Sequence, residues 1–111
     1  ALPIYDNRIQ KVLSHIRKNI YKTVDIDSLA AISCLSKDHF IRLFKKEVGT
    51  TPLQYINQKK IEKAQLILIT EDIPVKNIAY LLAYEDHSYF NRLFKKITDV
   101  TPQQYRELYK K

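Results

Sequence analysis

The stretch "HFIRLFKKEVGTTPLQYI", residues 39–56, returns fifty residues later as "YFNRLFKKITDVTPQQYR", residues 89–106. Ten of the eighteen aligned positions are identical, including the whole of Arg-Leu-Phe-Lys-Lys and the later Thr-Pro-x-Gln-Tyr. The likeness extends upstream, because "LAAISCLSKDHF" from residue 29 pairs with "IAYLLAYEDHSYF" from residue 78, where the second copy is one residue longer. The chain therefore encodes one structural unit twice.

The composition favours a helical, globular protein. The chain has 111 residues, of which 45% are hydrophobic and 28% charged, and it could form one domain or two very small ones that share packing. One glycine and four prolines leave few signals for strand turns. No apolar run, including residues 66–69, is long enough to cross a bilayer, and one cysteine suits a reducing compartment. We therefore expect a cytoplasmic protein with no membrane partner.

Apolar residues spaced three and four apart predict seven helices and no strands. The first such series of apolar residues predicts a helix over residues 6–22, and its last member is Ile20. Asp25, Ser36 and Asp86 are predicted to cap the helices that follow them, and Gly49 is predicted to end one. Residues 51–54 and 101–104 each read as a capping box with proline at the first helical position.

A long helix is predicted to connect the two copies. It starts after the first capping box and extends for about 18 residues, or about 27 Å at 1.5 Å per residue. The predicted fold is therefore all-α, with two helix-turn-helix subdomains joined by a long linker helix. The expected boundaries are residues 1–56 for the first subdomain, 57–69 for the linker helix and 70–111 for the second subdomain.

In each copy, a short helix, a tight turn and a basic helix follow one another. This is the helix-turn-helix arrangement, whose second helix enters the major groove of DNA. The first helix must be small where it crosses the second, and Ala30 and Ala79 provide that. On the second basic helix, we expect Phe90, Phe94 and Ile97 to face inward.

The outer faces of the two basic helices carry polar groups near their N-termini and cations further along. This order suits base edges followed by phosphates. The residues predicted to read bases are Lys37, Asp38, Ile41, Arg42, His87, Ser88, Asn91 and Arg92. The residues predicted to contact phosphates are Lys45, Lys46, Tyr89, Lys95 and Lys96.

The formal net charge of +7 is compatible with several functions. A generic helical bundle with solvated basic faces is one alternative, and a module that docks an acidic protein is another. Non-specific binding to the nucleoid is a third. Two copies that keep the same cations while the base-reading positions differ favour sequence-specific binding of double-stranded DNA. A steep salt dependence would separate DNA binding from protein docking.

The repeated segments, residues 29–56 and 78–106, closely resemble the AraC/XylS-type DNA-binding domain of bacterial transcription regulators. The resemblance covers about residues 8–109. It implies two helix-turn-helix subdomains that bind adjacent major-groove segments of an asymmetric site in transcriptional regulation. The chain departs from the family pattern at three positions: Ala83 and Asp99 replace common glycines, and Lys60 replaces a common arginine. Asp99 is expected to tolerate a left-handed backbone, and Ala83 to tighten the turn before the second basic helix.

The resemblance also implies a larger protein. Family members often carry a separate ligand-binding, dimerising or receiver domain, and Ala1-Leu2-Pro3 resembles the end of a linker. We therefore expect the chain to be a C-terminal piece that is monomeric alone, while the longer regulator can dimerise through the missing domain. RNA polymerase is a further partner that this role allows.

The histidines, the cysteine and the tyrosines could serve metal binding or single-strand stacking, but their positions in the sequence do not favour either function. His15, His39, His87 and Cys34 lack the spacing of metal ligands, and Cys34 is expected to be a packed or half-exposed thiol. Tyrosines could stack on single-stranded bases, but those at positions 55 and 105 occupy apolar helix positions that favour core packing. No catalytic triad, phosphate loop or carboxylate pair is evident. We expect neither a cofactor nor an enzyme.

Overall fold

The computed structural model describes residues 4–110, so the linker expected at Ala1–Pro3 lies outside the described residues. Over residues 4–110 the chain forms seven helices and no strand, which confirms the all-α prediction. The helices are α1 (Asn7–Lys18), α2 (Ile26–Ser33), α3 (Lys37–Val48), α4 (Pro52–Thr70), α5 (Val75–Leu81), α6 (His87–Thr98) and α7 (Pro102–Tyr109).

The chain divides into two compact units. Unit 1 comprises residues 24–57 together with the chain up to Ile20. Unit 2 comprises the chain from Gln58 onward together with Tyr21–Thr23. Helix α3 therefore belongs to unit 1 and helix α6 to unit 2, so each unit contains one copy of the repeated basic helix.

The predicted helix caps are present. The Asp25 carboxylate accepts from the Ser28 N–H at 2.8 Å, and the Ser36 hydroxyl accepts from the N–H of the third residue of α3 at 3.3 Å. The Asp86 carboxylate accepts from the Ser88 N–H at 2.8 Å. Each such cap stabilises its helix by about 1 kcal/mol, because it satisfies an amide that has no partner inside the helix.

Both predicted capping boxes are also formed. The Gln54 N–H donates to Thr51 Oγ1 at 3.2 Å, and the Thr51 N–H donates to Gln54 Oε1 at 3.0 Å. The same pair of bonds joins Gln104 and Thr101, at 3.1 and 2.9 Å. The repeated Thr-Pro-x-Gln sequence thus starts α4 and α7 by the same local chemistry.

The two basic helices end alike. Gly49, after α3, has a φ of 95°, and Asp99, after α6, has a φ of 70°. Each residue's N–H donates to the carbonyl of the lysine four residues earlier, at 2.9 and 2.8 Å. Asp99 therefore adopts the left-handed conformation that the sequence led us to expect, at a position where glycine pays no steric penalty.

The core of unit 1 is centred on aromatic rings of α3. Phe40 and Phe44 are fully buried, with ring centroids 5.8 Å apart, and Tyr55 lies edge-on to Phe44 at 5.7 Å. Such edge contacts add to the free energy gained from burial. The buried residues of this core are Ile9, Val12, Leu13, Ile16, Leu29, Ala30, Phe40, Phe44 and Ile56.

Unit 2 repeats the same aromatic arrangement. Phe90 and Phe94 are fully buried with centroids 6.0 Å apart, and Tyr105 lies edge-on to Phe94 at 5.6 Å. The packing of Tyr55 and Tyr105 agrees with the expectation that both tyrosines serve the core. The buried residues of this second core are Ile61, Ala64, Ile67, Leu68, Ile78, Ala79, Leu82, Phe90 and Phe94.

The first helix is shorter than its apolar stripe predicts. Asn19 caps α1: its N–H donates to His15 O at 3.1 Å and its side-chain Nδ2 donates to the same oxygen at 2.8 Å. Ile20 therefore lies beyond the helix, and the predicted extension to residue 22 is wrong. A short amide side chain competes for backbone partners and favours such an end.

Ile97 is also placed differently from the prediction. Its side chain is 42% exposed, whereas the apolar stripe of α6 led us to expect it inside. The buried residues of α6 are Phe90 and Phe94, and Ile97 does not belong to the core of unit 2. Periodicity predicts which face an apolar residue occupies, but not how far along the helix the core extends.

Candidate nucleic-acid interface

The turn before α3 is built around a left-handed residue. Cys34 has a φ of 60°, and the Leu35 N–H donates back to Ala30 O at 3.2 Å. These features close a helix C-terminus and redirect the chain toward α3. Ala30 is buried, as expected where two helices cross, whereas Cys34 is exposed rather than packed or half-exposed.

The turn before α6 has the same construction. Ala83 has a φ of 66°, and the Tyr84 N–H donates to Ala79 O at 3.0 Å. An alanine in this conformation costs roughly 1–2 kcal/mol, which explains why a glycine is favourable there. The added residue of the second copy, Glu85, lies after this turn and before the Asp86 cap. Both units thus present their basic helix through one turn geometry.

The outer face of α3 holds most of the predicted reading residues of unit 1. Lys37, Asp38 and Arg42 are exposed, and the predicted phosphate contacts, Lys45 and Lys46, are also exposed. Positions 38, 42 and 45 lie one helical turn apart along the same face.

Ile41 differs from its neighbours on α3. It is half-buried and packs against the core of unit 1. Part of its apolar surface is therefore already in contact with protein. This leaves less apolar surface for contact with a thymine methyl group, which apolar side chains can touch in the major groove.

The outer face of α6 holds the predicted residues of unit 2. Ser88 and Arg92 are exposed, as are Lys95 and Lys96, and Tyr89 is 44% exposed. The Tyr89 ring lies 6.1 Å from that of Tyr84. This helix therefore presents three cations and no carboxylate along its length.

His87 and Asn91 are half-buried on α6. The His87 ring makes an edge contact with Tyr80, with 6.4 Å between centroids. The Asn91 Oδ1 atom is buried, and no donor among the described residues reaches it. Both side chains are thus partly held by the protein while they border the exposed face.

Most cations of the two outer faces have no carboxylate partner within residues 4–110. Within residues 4–110, ion pairs of these residues are confined to Lys37, whose Nζ lies 3.7 Å from Asp27 Oδ1. Both partners are well exposed, so this pair contributes about 0–1 kcal/mol. Arg42, Arg92 and the four lysines that follow them thus remain available to an anionic ligand such as a phosphate backbone.

Lys60 donates hydrogen bonds to backbone carbonyls, one of them at the turn before α6 in unit 2. Its side chain is buried at 5% exposure, and its Nζ donates to Lys22 O at 2.8 Å and to Leu82 O at 2.5 Å. The ammonium also lies 5.7 Å from the Tyr84 ring centroid. Because Leu82 is the C-cap of α5, Lys60 satisfies a carbonyl at the start of the turn that leads to α6.

The burial of Lys60 predicts a pH dependence of stability. Burial lowers the pKa of this ammonium from 10.5 to about 8. Between these two values the unfolded chain binds the proton that the folded chain has released, so stability rises with pH. From pH 7 to pH 9.5, the free energy of unfolding should rise by about 1–2 kcal/mol relative to Lys60→Met, which cannot titrate.

Urea unfolding of both chains at the two pH values measures this difference. Parallel pH profiles for the wild type and Lys60→Met would contradict a depressed pKa at Lys60.

Arg106 is a supporting residue that the sequence analysis missed. Its Nε donates to Leu68 O at 3.0 Å, and its Nη2 donates to Glu71 O at 3.2 Å and Ile73 O at 2.6 Å. The guanidinium thus satisfies carbonyls at the end of α4 and in the segment leading to α5. The repeat contained a sign of this role, because the charged Arg106 occupies the position that the buried Ile56 occupies in the first copy.

Two further features of residues 4–110 concern metal ions and membranes. Residues 4–110 contain no group of three or more His, Cys, Asp or Glu side chains placed to hold a metal ion. None of their helices combines the length and the hydropathy that crossing a membrane requires.

Two basic helices, each presented by a tight turn from a short preceding helix, define a helix-turn-helix protein of the DNA-binding class. The family model described as "Helix-turn-helix domain" matches residues 29–108. The chain belongs to the AraC/XylS-type family of DNA-binding transcription regulators. This confirms the resemblance seen in the repeated segments.

Known proteins agree with this assignment. The chain is 30% identical to the arabinose operon regulatory protein of Escherichia coli K12 over 94% of its own length and 36% of that protein. It is 31% identical to the C-terminal domain of the response regulator yesN from Fusobacterium nucleatum, with 91% and 99% of the chains covered and a TM-score of 0.85. It shares its fold with the DNA-binding domain of AdpA, solved with a target DNA, at 24% identity, 91% coverage of each chain and a TM-score of 0.87.

Proposed function

We propose that this chain binds double-stranded DNA sequence-specifically to regulate transcription, with α3 and α6 each reading one of two adjacent major-groove segments. The observation that carries the proposal is the doubled reader: both units present a basic helix through the same left-handed turn. Both basic helices also keep an exposed arginine and two exposed lysines at equivalent positions. A single chain thereby supplies two readers in a direct repeat.

The proposed base-reading set follows the outer faces of the two helices. It comprises Lys37, Asp38, Ile41, Arg42, His87, Ser88, Asn91 and Arg92, and the proposed phosphate contacts are Lys45, Lys46, Tyr89, Lys95 and Lys96. The exposure of both arginines and all four later lysines supports these roles, because each can reach an anion or a guanine edge without first breaking an ion pair. Residues 1–56 and 70–111 are the proposed reading subdomains, and residues 57–69 the helix between them.

Salt dependence tests the DNA-binding proposal directly. Each phosphate contact releases counterions, so log affinity should fall linearly with log salt, with a slope of about −0.9 for each contact. The chain should also prefer a selected duplex over a random one. A shallow slope with no preference between duplexes would favour docking to an acidic protein instead, and a steep slope without preference would favour non-specific nucleoid binding.

Lys45→Ala and Lys95→Ala are each expected to weaken selected and random duplexes by a similar factor. Both lysines lie on the outer face one turn past the reading arginine, where a cation meets phosphate rather than a base. The salt slope should become shallower by about one unit for each variant. Titrations at several salt concentrations, read by fluorescence anisotropy, measure both quantities.

Lys11→Ala is the matched control for these two variants, since it removes an exposed lysine from α1, outside both basic helices. It should leave the slope nearly unchanged. Loss of preference at a single base pair in Lys45→Ala or Lys95→Ala would instead assign that lysine to base reading.

The chain spans about a third of the length of the curated relatives it matches, 31% and 36% for the first two. We propose that this chain is cytoplasmic, that it binds DNA as a monomer, and that it catalyses no reaction. A longer regulator can dimerise through another domain and contact RNA polymerase from the bound site.

A further inference from the structure

Asp38 places a carboxylate on the face of α3 that is proposed to meet DNA, and its side chain is exposed. It is the acidic residue in the first turn of α3, whereas the first turn of α6 contains no acidic residue. The equivalent position of α6 is Ser88, whose neutral hydroxyl can both donate and accept. The two basic helices therefore differ in charge at the start of their outer faces.

The Asp38 carboxylate has no partner in the protein. Within residues 4–110 it takes part in no ion pair and no hydrogen bond. Its neighbour Lys37 pairs instead with Asp27 of α2, at 3.7 Å. A carboxylate in a first turn also interacts favourably with the helix dipole, but any position of that turn could fill this role. On the outer face, the free carboxylate must meet whatever the helix binds.

Bringing this carboxylate against DNA is unfavourable unless a donor meets it. Phosphates repel its charge, and a charged group that loses its hydration without gaining a hydrogen bond is destabilised. In the major groove, the donors on the bases are the amino groups of cytosine and adenine, N4 and N6, whereas guanine and thymine present the acceptors O6 and O4. A carboxylate has acceptor oxygens only, whichever way it is rotated. Its choice of base therefore does not depend on its side-chain rotamer.

We propose that Asp38 determines specificity by exclusion: at one base pair of the α3 segment it accepts cytosine or adenine on the strand it faces and rejects guanine and thymine. This rests on the proposed function, since it assumes that α3 lies in a major groove. Cytosine is the better partner, because the N7 acceptor of adenine lies beside its N6 amino group. Exclusion also predicts that removing Asp38 strengthens binding to the sites that the carboxylate rejects.

Binding-site selection from a random duplex pool tests the proposal with the wild type, Asp38→Ala and Asp38→Asn. The wild type should favour cytosine or adenine over guanine or thymine at one position by roughly 10–100-fold, the range for a hydrogen bond to a charged group. Asp38→Ala should lose this preference and keep the rest of the site. Asp38→Asn should admit guanine and thymine there, because its amide can present a donor.

Affinity for a random duplex gives a second measurement. Asp38→Ala and Asp38→Asn should both bind it more tightly than the wild type, by roughly threefold, the effect of removing one charge about 6 Å from a phosphate in water. Glu71→Gln is the matched control, since it removes one negative charge from an exposed position after α4, outside both basic helices. It should leave every base preference unchanged.

Ser88→Asp makes the reciprocal change at the equivalent position of α6. It should create a preference for cytosine or adenine among the base pairs that α6 contacts, and it should weaken binding to a random duplex. This gain of a preference cannot result from a loss of folding. Thermal melting followed by circular dichroism checks that all the variants remain helical.

The outcomes separate this proposal from the one it rests on. An unchanged preference in both Asp38 variants, or a wild-type site with guanine or thymine at the position they affect, would overturn exclusion by Asp38 alone. Loss of a guanine preference at a neighbouring base pair would show instead that Asp38 orients Arg42, which also overturns it. A wild-type chain that enriches no sequence at all would overturn the proposed function itself.

Discussion

Replacing Phe94 by alanine is expected to lower the free energy of unfolding by about 3–5 kcal/mol, the largest stability change proposed for this chain. Phe94 is fully buried and contacts the rings of Phe90 and Tyr105 at 6.0 and 5.6 Å between centroids. Truncation removes the burial of the ring and leaves a cavity between α6 and α7 that the packed neighbours can only partly fill. Urea unfolding followed by far-ultraviolet circular dichroism measures the loss.

Phe44→Ala should have a similar effect in unit 1, because Phe44 holds the same place between Phe40 and Tyr55. Leu108→Ala serves as the control, since Leu108 is 65% exposed on α7 and its truncation should change stability by about 0.5 kcal/mol or less. If Phe94→Ala were no more destabilising than Leu108→Ala, the aromatic core of unit 2 would be packed differently from the arrangement described.

Arg42→Ala and Arg92→Ala are expected to produce the largest functional changes. Each arginine is exposed on the reading face, and no carboxylate among residues 4–110 pairs with it. A bidentate arginine contact with guanine O6 and N7 is worth about 1–3 kcal/mol of discrimination, or about 5–150-fold in relative affinity. Each variant should lose that discrimination within its own cluster of base pairs and leave the other cluster unchanged.

Competition between the preferred duplex and its single-base-pair variants measures these losses. Arg17→Ala provides a control with the same side chain removed from an exposed position of α1. The two-reader account fails if both arginine variants lose preference at the same base pairs, or if neither changes any preference.

Local signals predicted much of this architecture. The Thr-Pro-x-Gln repeats fixed where α4 and α7 begin, because a threonine hydroxyl and a glutamine amide satisfy free backbone amides close in sequence. The repeated phenylalanines of α3 and α6 likewise predicted the buried faces, since helical spacing places both rings of each pair on one side. The outward direction of Arg42 and Arg92 follows from the same geometry.

What the sequence did not predict depends on contacts between distant parts of the chain. Lys60 and Arg106 donate to carbonyls up to 38 residues away, and no local pattern reports which carbonyls lack partners. The partial burial of Asn91 is a similar case, because periodicity places the residue on the outer face without predicting how much of its side chain the protein covers.

The most direct test of the central claim is binding-site selection with the isolated chain, followed by footprinting and by the stoichiometry of the complex on the selected duplex. The account predicts an asymmetric site with two clusters of preferred base pairs about 10 base pairs apart, occupied by one chain. A palindromic site that is occupied only by two chains, or the enrichment of no sequence at all, would contradict it.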